Sequence, residues 1–312
     1  MAVTISEARY RNFGKCVKIE NAFAEVWVTV DIGPRIIRYS LKGGENFMYE
    51  DKNRRTKQDI KPMQDYYGKG ACWYIYGGHR IWASPEYMPE TYYPDNNKVK
   101  YEIDGRTVTF IPQPQVKNNI QITLKVTLEE YSAKVKVENS ITNLGDAPKV
   151  LSVWALSVLA PGGIEIVPMN NHDTGFVNNK KMAIWNYTDL SDKRVAWAKE
   201  YMMLKQDKHR ENPFKIGIDN RRAWAAYILR GVMFLKEFEY IEAAQYPDEG
   251  MNFETYTCDK FLEMETLSPL TKIEKNQTIT HCESWDIIDD VKTPKLGDFA
   301  AVEEIVRQYI GI

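Results

Sequence analysis

The chain has 312 residues, of which 44% are hydrophobic and 27% are charged, a composition typical of a globular protein with a large core rather than a disordered chain. Its 41 basic and 43 acidic residues nearly balance and form no block of like charge. This pattern lacks the electrostatic footprint of a protein that binds nucleic acid or an anionic membrane surface.

The N-terminal segment and the cysteines indicate where the protein resides. The segment MAVTISEARYRNFGKCVK carries charges where a signal peptide needs an apolar stretch, which predicts a cytoplasmic protein. The four cysteines are scattered and contain no C-x-x-C pair, which argues against a disulfide framework or a structural zinc site. We therefore expect reduced thiols and no bound metal.

Two-residue alternation of apolar and polar side chains is the dominant pattern in chain order. It begins at 24–30, is clearest at 120–128, and resumes at 133–138 after a four-residue link, which predicts an antiparallel hairpin. The apolar run 150–161 is too short for a membrane span and predicts a buried strand. Further predicted strands are 35–41, 99–104, 106–111, 222–229, 232–238, 253–257, 260–267 and 278–287.

Only the C-terminal segment has clear helical spacing. Apolar residues recur from Phe299 to Ile310, and Asp298 is placed to cap the first turn. No βαβ alternation, internal repeat or low-complexity linker interrupts the chain. The sequence therefore predicts one all-β domain over 1–312, a sandwich of two large antiparallel sheets with a short C-terminal helix. Polar stretches at 51–70, 84–98, 168–181, 189–199 and 206–215 are predicted to be long, functional loops.

The densest group of polar and aromatic residues lies in YGGHRIWASPEYMPETYYPDN, residues 76–96. It contains His79, Arg80, Trp82, Glu86 and Asp95. Aromatic rings stack on the C–H faces of sugars, and charged side chains form directional hydrogen bonds with hydroxyl groups, so the mixture suits a carbohydrate. The alternative is a structured loop whose aromatic residues cover the end of the sandwich.

A second group is a pair of carboxylates in FLEMETLSPL, residues 261–270. Glu263 and Glu265 are two residues apart on a predicted strand and therefore share one face. If that face is enclosed, burial and mutual repulsion raise the pKa of at least one carboxyl group, as a general base requires. If it is open, the two residues are an ordinary solvated pair.

Weaker candidates lie in two other segments. In ITHCESWDI, His281 and Trp285 alternate onto one side of a strand with Glu283, where a metal, a proton relay and a structural histidine all remain open. His172 lies in an Asn-rich turn that a ligand could also contact. Trp82 and Trp285, which neighbour polar residues, are predicted sugar platforms.

Together these motifs resemble the galactose mutarotase-like superfamily, which includes aldose 1-epimerases and hexose-6-phosphate epimerases. The resemblance lies in DIGPRIIRYSLKGGENFMYED, GGHRIWASPE, SVWALSVLAPGGIEIVP and FLEMETLSPLTKIEKNQTITHCESWDI. More narrowly, YPDEGMNFETYTCDKFLEMETLSPL is similar to a bacterial branch of that superfamily. The resemblance implies a β-supersandwich, in agreement with the alternation.

The resemblance also implies catalytic roles. In the epimerases a glutamate on a late strand is the base, and Glu265 best matches it, with Glu263 as the alternative register. Their acid is a histidine on a mid-chain strand, where this chain has SVWALSVL with Trp154 and no histidine. His79 is the first choice to replace it, followed by His172 and His281.

The function expected from these inferences is that of a carbohydrate-active protein of epimerase type that needs no cofactor. A pyranose would bind in an open cleft, Glu265 would remove the anomeric proton and His79 would protonate the ring oxygen. Arg80, Glu86 and Asp95 would hold hydroxyl groups, and Trp82 would stack on the ring. The alternatives are a carbohydrate-binding protein without catalysis and a purely structural sandwich. The specific sugar, its phosphorylation and the oligomeric state stay open.

Overall fold

A computed structural model describes residues 2–311, in which β-strands are far more abundant than helices. The strands are β1 Thr4–Arg9, β2 Lys15–Glu20, β3 Ala24–Thr29, β4 Ile36–Leu41, β5 Lys57–Gln58, β6 Trp73–Tyr74, β7 Gly78–Ser84, β8 Lys100–Asp104, β9 Thr107–Ile111, β10 Ile120–Leu128, β11 Val135–Asn143, β12 Lys149–Leu159, β13 Ile164–Pro168, β14 Met182–Ile184, β15 Val195–Trp197, β16 Tyr201–Lys205, β17 Phe214–Ile218, β18 Trp224–Leu229, β19 Val232–Phe238, β20 Phe253–Thr257, β21 Leu262–Leu267, β22 Thr271–Ile273 and β23 Thr278–Ile288. The helices are α1 Lys61–Tyr67, the single turn α2 Pro247–Gly250, and α3 Phe299–Ile305, which continues as a π-helical turn over Val306–Ile310.

Two large sheets contain nearly all of these strands. The first sheet has 11 strands in the order β1-β2-β3-β4-β7-β12-β21-β20-β17-β14, with β22 paired beside β12. The second has 10 strands in the order β15-β16-β13-β18-β19-β23-β11-β10-β9-β8. Every pairing within the two sheets is antiparallel, so the predicted sandwich of two large antiparallel sheets is confirmed.

The main hydrophobic core lies between the sheets and follows from the alternation. Ile122 on β10 stands opposite Ile141 on β11, and Leu128 stands opposite Val135, so the predicted hairpin is confirmed. These side chains are buried together with Phe234 and other residues from both halves of the chain. The period of two therefore directs one face of each strand into the shared core.

The C-terminal helix covers the outer face of the second sheet. The Asp298 carboxylate accepts a hydrogen bond from the Ala301 backbone N–H at 3.2 Å, which caps α3 as predicted. Val302 and Ile305 pack on a cluster that includes Trp224 and Met233. The outer face of the first sheet carries a smaller cluster, in which Met63 of helix α1 packs with Trp82 and Trp154.

The structure also contains elements that the alternation did not predict. Helix α1 lies inside the predicted loop 51–70, and β16 and β17 lie in segments where no strand was predicted. Strand β16 has Met202 and Leu204 in one hydrophobic cluster and Tyr201 and Met203 in the other, so it lacks the wet face that produces alternation. Over residues 2–311, none of the helices has the length and apolar character needed to cross a lipid bilayer.

Candidate functional site

An open cleft of about 310 Å³ lies on the outer face of the first sheet. Its floor is formed by the adjacent strands β7, β12, β21, β20 and β17. The charged side chains that line it are Arg80, Glu86, Lys215, Glu263 and Glu265. The aromatic side chains that line it are Trp73, Trp82, Tyr92, Trp154, Trp185, Tyr187, Tyr256 and Phe261.

Strand pairing brings these charged residues together from distant parts of the chain. Leu156 on β12 stands opposite Arg80 on one side and Glu265 on the other. On the next strands, Glu254 stands opposite Glu265, while Tyr256 separates Glu263 from Lys215. Since neighbouring strands lie about 5 Å apart, the cleft concentrates ionisable groups within the length of one small ligand.

Glu265 is held by two donors at the bottom of the cleft. Its Oε2 accepts hydrogen bonds from Trp154 Nε1 at 2.8 Å and from Lys215 Nζ at 2.9 Å, and its side chain is 1% exposed. Its Oε1 accepts no hydrogen bond from the residues that the structure describes. One oxygen of this carboxylate is therefore fixed, while the other has no protein partner.

Lys215 lies between two carboxylates, because its Nζ is also 2.7 Å from Glu254 Oε2. Burial by itself disfavours the ammonium, but Glu265 and Glu254 outweigh it and raise the pKa of Lys215 well above its ordinary value. Burial raises the pKa of Glu254 well above 4.5 despite this cation, and the nearby Glu265 adds to the shift. The two carboxyl groups therefore favour the charged form of Lys215, while burial favours the protonated form of Glu254.

Glu263 has a different environment. Its Oε1 accepts a hydrogen bond from Arg80 Nη2 at 3.2 Å. Burial raises the pKa of Glu263, opposed by Arg80 and reinforced by the charge of Glu265. The two carboxyl groups of β21 therefore have different cationic partners. Arg80 contacts Glu263, whose pKa is raised, and Lys215 contacts Glu265.

Aromatic rings form the walls of the cleft. Trp82 packs against Trp154 with ring centroids 5.2 Å apart, and the Arg80 guanidinium lies 4.3 Å from the Trp82 ring centroid. These rings are largely buried, whereas Trp185 is partly exposed and Tyr187 is 43% exposed at the mouth. Trp185 and Tyr187 therefore present the most accessible ring surface to a ligand.

Five of the residues selected from the sequence lie in the cleft, namely Arg80, Trp82, Glu86, Glu263 and Glu265. Glu86 is at its rim, where it accepts a hydrogen bond from the Tyr92 hydroxyl at 2.7 Å. The other five, His79, Asp95, His172, His281 and Trp285, do not line it.

The expected pairing of His79 with Glu265 across the cleft is wrong. Arg80 points into the cleft, so His79, its neighbour on β7, points through the sheet into the core. Its Nδ1 lies 2.9 Å from Ser157 Oγ and its Nε2 lies 2.8 Å from Asn139 Oδ1. Burial lowers the pKa of His79 to about 4. A neutral, enclosed imidazole on the far side of the sheet cannot protonate a sugar in the cleft.

The remaining expectations for ligand contacts in the cleft need the same correction. His281 and Trp285 are buried between the sheets, where His281 Nε2 lies 2.9 Å from Thr266 Oγ1. Asp95 forms an ion pair with Arg35 beside a separate small cavity. His172 is exposed in its loop, and its carbonyl oxygen accepts a hydrogen bond from Asn179.

Lys215 and Glu254 were not predicted from the sequence, and Trp154 was not predicted to be a partner of Glu265. Lys215 lies at the end of a stretch predicted to be a loop. A signal for its burial exists in FKIGI, where a single lysine is flanked by apolar residues. Among residues 2–311, no three His, Cys, Asp or Glu side chains converge as a metal site would require.

Comparison with solved structures identifies the fold. The chain is similar to a candidate aldose 1-epimerase from Klebsiella pneumoniae, with a TM-score of 0.61, 11% identity and coverage of 99% of this chain and 87% of that one. It is also similar to a candidate mutarotase, YeaD, from Salmonella typhimurium, with a TM-score of 0.58, 8% identity and coverage of 91% and 94%. A homologue of GalM/aldose epimerase from C. elegans has a TM-score of 0.53, 9% identity and coverage of 92% and 99%.

Sequence comparison adds no closer relationship. No protein-family model matches the chain. No curated protein matches it either. The structural similarities establish the galactose mutarotase-like fold, and at such low identity they establish the fold alone.

Proposed function

We propose that this chain, which has the galactose mutarotase-like fold, binds a neutral pyranose in the cleft and interconverts its anomers by acid–base catalysis. Glu265 is the base and Glu263 is the acid. The observation that carries the proposal is the pair of carboxyl groups two residues apart on the cleft face of β21, each with a different cationic partner.

The spacing of the two residues suits the reaction. Residues i and i+2 of a strand are about 6.6 Å apart, so two side chains can converge on the two oxygens that flank an anomeric carbon. Glu265 Oε1 removes the proton of the anomeric hydroxyl, and Glu263 donates its proton to the ring oxygen as the C–O bond breaks. The open-chain sugar rotates about its C1–C2 bond and closes with both transfers reversed. Such positioned proton transfers contribute about 10²–10⁴-fold each.

Glu263 takes the role that sequence reasoning assigned to His79. The raised pKa of Glu263 favours the protonated form that a general acid needs. Lys215 and Trp154 both donate hydrogen bonds to Oε2 of the other carboxyl group, that of Glu265. In this proposal Glu265 and Glu263, which have different environments, take the roles that a glutamate and a histidine have in the epimerases.

The charges of the cleft favour a neutral sugar. Both cations that line it contact carboxyl groups, Arg80 through Nη2 to Glu263 and Lys215 to Glu254 and Glu265. The phosphate of a phosphorylated sugar would have to compete with these carboxyl groups for the same two cations. The rings of Trp185 and Tyr187 offer stacking surface for the C–H face of a pyranose.

One observation supports a second candidate, carbohydrate binding without catalysis. Lys215 and Trp154 both donate to Glu265 Oε2, so this oxygen is occupied by protein donors and does not face a ligand as a free acceptor. If these bonds persist when sugar binds, the cleft would recognise a pyranose without opening its ring.

Interconversion of the anomers of a freshly dissolved sugar, followed by NMR, tests the proposal. We expect wild-type protein to accelerate interconversion of at least one neutral aldose, and E265Q and E263Q each to lose at least about 100-fold of that acceleration. E274Q, at a glutamate 53% exposed outside the cleft, is the matched control and retains it. Sugar line broadening without acceleration in the wild type would favour the non-catalytic candidate. The absence of both effects across a panel of neutral aldoses would refute sugar binding.

A further inference from the structure

A second, smaller cavity of about 30 Å³ lies beside the cleft, with Arg35 and Arg80 among its lining residues. Arg35 directly precedes β4, and Arg80 lies on β7. These two strands pair only where Ile36 stands opposite His79, so the first sheet opens beyond that point. The cavity lies where the two arginine side chains meet at this opening.

The arginines are buried but incompletely paired. Arg35 is 1% exposed and Arg80 is 3% exposed. Arg35 contacts Asp95 and the Pro34 carbonyl oxygen, and Arg80 contacts Glu263. Arg35 Nε, Arg80 Nε and Arg80 Nη1 are buried and have no acceptor among the described residues. Since a buried donor without an acceptor is costly, three such donors on two arginines that line the same cavity indicate a missing acceptor.

The chemistry of that acceptor follows from the donors. A water molecule accepts two hydrogen bonds and must also donate its own two, whereas a monatomic anion accepts from all directions and donates nothing. The cavity has room for about one or two water-sized particles. Each arginine has one carboxyl partner, so the cavity gains a net positive charge whenever Glu263 carries its proton.

We propose that the Arg35–Arg80 cavity binds one halide-sized inorganic anion, chloride in the cell. The anion lies between the two guanidinium groups and accepts from their unpaired N–H groups. This site is separate from the sugar cleft and shares only the Arg80 and Trp82 side chains with it. It holds Arg80 in the position from which Nη2 contacts Glu263, so the anion acts on the carboxyl group through a positioning residue.

Crystals of the wild-type protein soaked in sodium bromide provide the first test. Bromide is a close analogue of chloride and scatters anomalously near its absorption edge. We expect an anomalous peak in the cavity within hydrogen-bond distance of both guanidinium groups. A cavity that contains only water, with no anomalous peak, would overturn the proposal.

Thermal unfolding in solution provides the second test and needs no sugar, so it can fail or succeed independently of the proposed activity. At constant ionic strength, replacing sodium gluconate by sodium chloride or bromide should raise the Tm saturably, by about 2 °C at a tenfold excess over the dissociation constant. Gluconate is too large for the cavity and provides the baseline.

Arginine-to-lysine variants connect the halide effect to the cavity. R35K and R80K keep the charge but remove the planar set of donors, and both should lose the halide dependence. R194K is the matched control, because Arg194 is equally buried, is paired with Asp192 and also has an unpaired Nη1, but does not line this cavity. A halide dependence that persists in R35K and R80K would refute the site. If these variants do not fold, the anomalous peak and the wild-type comparison of halide with gluconate decide the matter. A bromide peak without any halide effect on the wild-type Tm would indicate an adventitious ion and would also count against it.

Discussion

Removal of the Lys215 ammonium is the most direct perturbation of the cleft. In K215M a methionine fills much of the same volume, but Glu254 and Glu265 lose the cation that lies 2.7 Å and 2.9 Å from them. Both carboxyl groups stay buried, at 0% and 1% side-chain exposure. The variant therefore isolates the free energy of keeping two acidic groups in the floor of the cleft without a counter-charge.

The expected loss of stability follows from these distances. At an effective dielectric constant of about 20, one ion pair at 2.9 Å is worth about 6 kcal/mol of attraction, which the desolvation of the ammonium partly offsets. Breaking a buried pair by removing one partner costs about 3–5 kcal/mol, and we expect a loss in this range at pH 8. In a chain of 312 residues this lowers the Tm by about 6 °C.

The loss should also depend on pH. A carboxyl group whose folded pKa lies above its unfolded value stabilises the fold at low pH, and this stabilisation disappears as the pH rises above the unfolded value. Burial already raises the pKa of Glu254 well above 4.5 with Lys215 present, and removing the cation raises it further. K215M should therefore lose less stability at pH 5 than at pH 8.

Urea unfolding of wild-type protein, K215M and K275M at both pH values tests this reasoning. Lys275 forms an ion pair with Asp146 at 2.7 Å, but the side chains are 54% and 92% exposed, so K275M should leave the urea midpoint unchanged. A loss in K215M no larger than that in K275M would refute the role of burial. A larger loss at pH 5 than at pH 8 would refute the assigned protonation states.

Three further predictions concern stacking, core protonation and the corrected histidine. The W185A variant, which lacks one aromatic wall of the cleft, should bind sugar about 5–10-fold more weakly when affinity is measured by titration calorimetry. The control is W197A, at an exposed tryptophan that does not line the cleft, and it should bind sugar normally. Equal losses of affinity in the two variants would contradict the stacking role. Burial raises the pKa of Glu165 to about 8, so its contribution to stability falls as the pH rises from about 4.5 through 8. E165Q removes this titration and should flatten the unfolding free energy between pH 6 and 9, and a slope equal to that of the wild type would contradict the assignment. Because H79A loses two buried hydrogen bonds, it should lower the free energy of unfolding by about 1–3 kcal/mol and leave sugar affinity unchanged. A stable H79A protein that no longer binds sugar would show that His79 does belong to the binding site.

The alternation in the sequence was sufficient to predict the architecture. Ile122, Leu124 and Val126 repeat with a period of two because one face of β10 meets the core and the other meets water. The hairpin with β11 and the helix capped by Asp298 follow from equally local signals. Strand β16 was missed because both of its faces are buried, so its sequence has no such period. Strand β17 does alternate, but it has only five residues, and its face opposite the core carries the buried Lys215.

The candidate site was predictable only in part. Glu263 and Glu265 share a face in any extended strand, so their proximity was determined locally. The same rule places the side chains of His79 and Arg80 on opposite faces of β7. Periodicity alone does not predict which of these faces meets the core. That choice depends on the second sheet, because Asn139 and Trp285 pack around the His79 imidazole.

By itself, the sequence determined that this protein is a sandwich of antiparallel strands. It also determined that Glu263 and Glu265 share one face of a strand in the C-terminal part of the chain. These properties depend on neighbours within a few positions, and the backbone alone imposes their period. The tertiary structure decided which face became the cleft, that Lys215 lies between Glu254 and Glu265, and that Arg35 meets Arg80 where the sheet opens. Such contacts join strands far apart in the chain, and only their order and register in the folded sheet establish them.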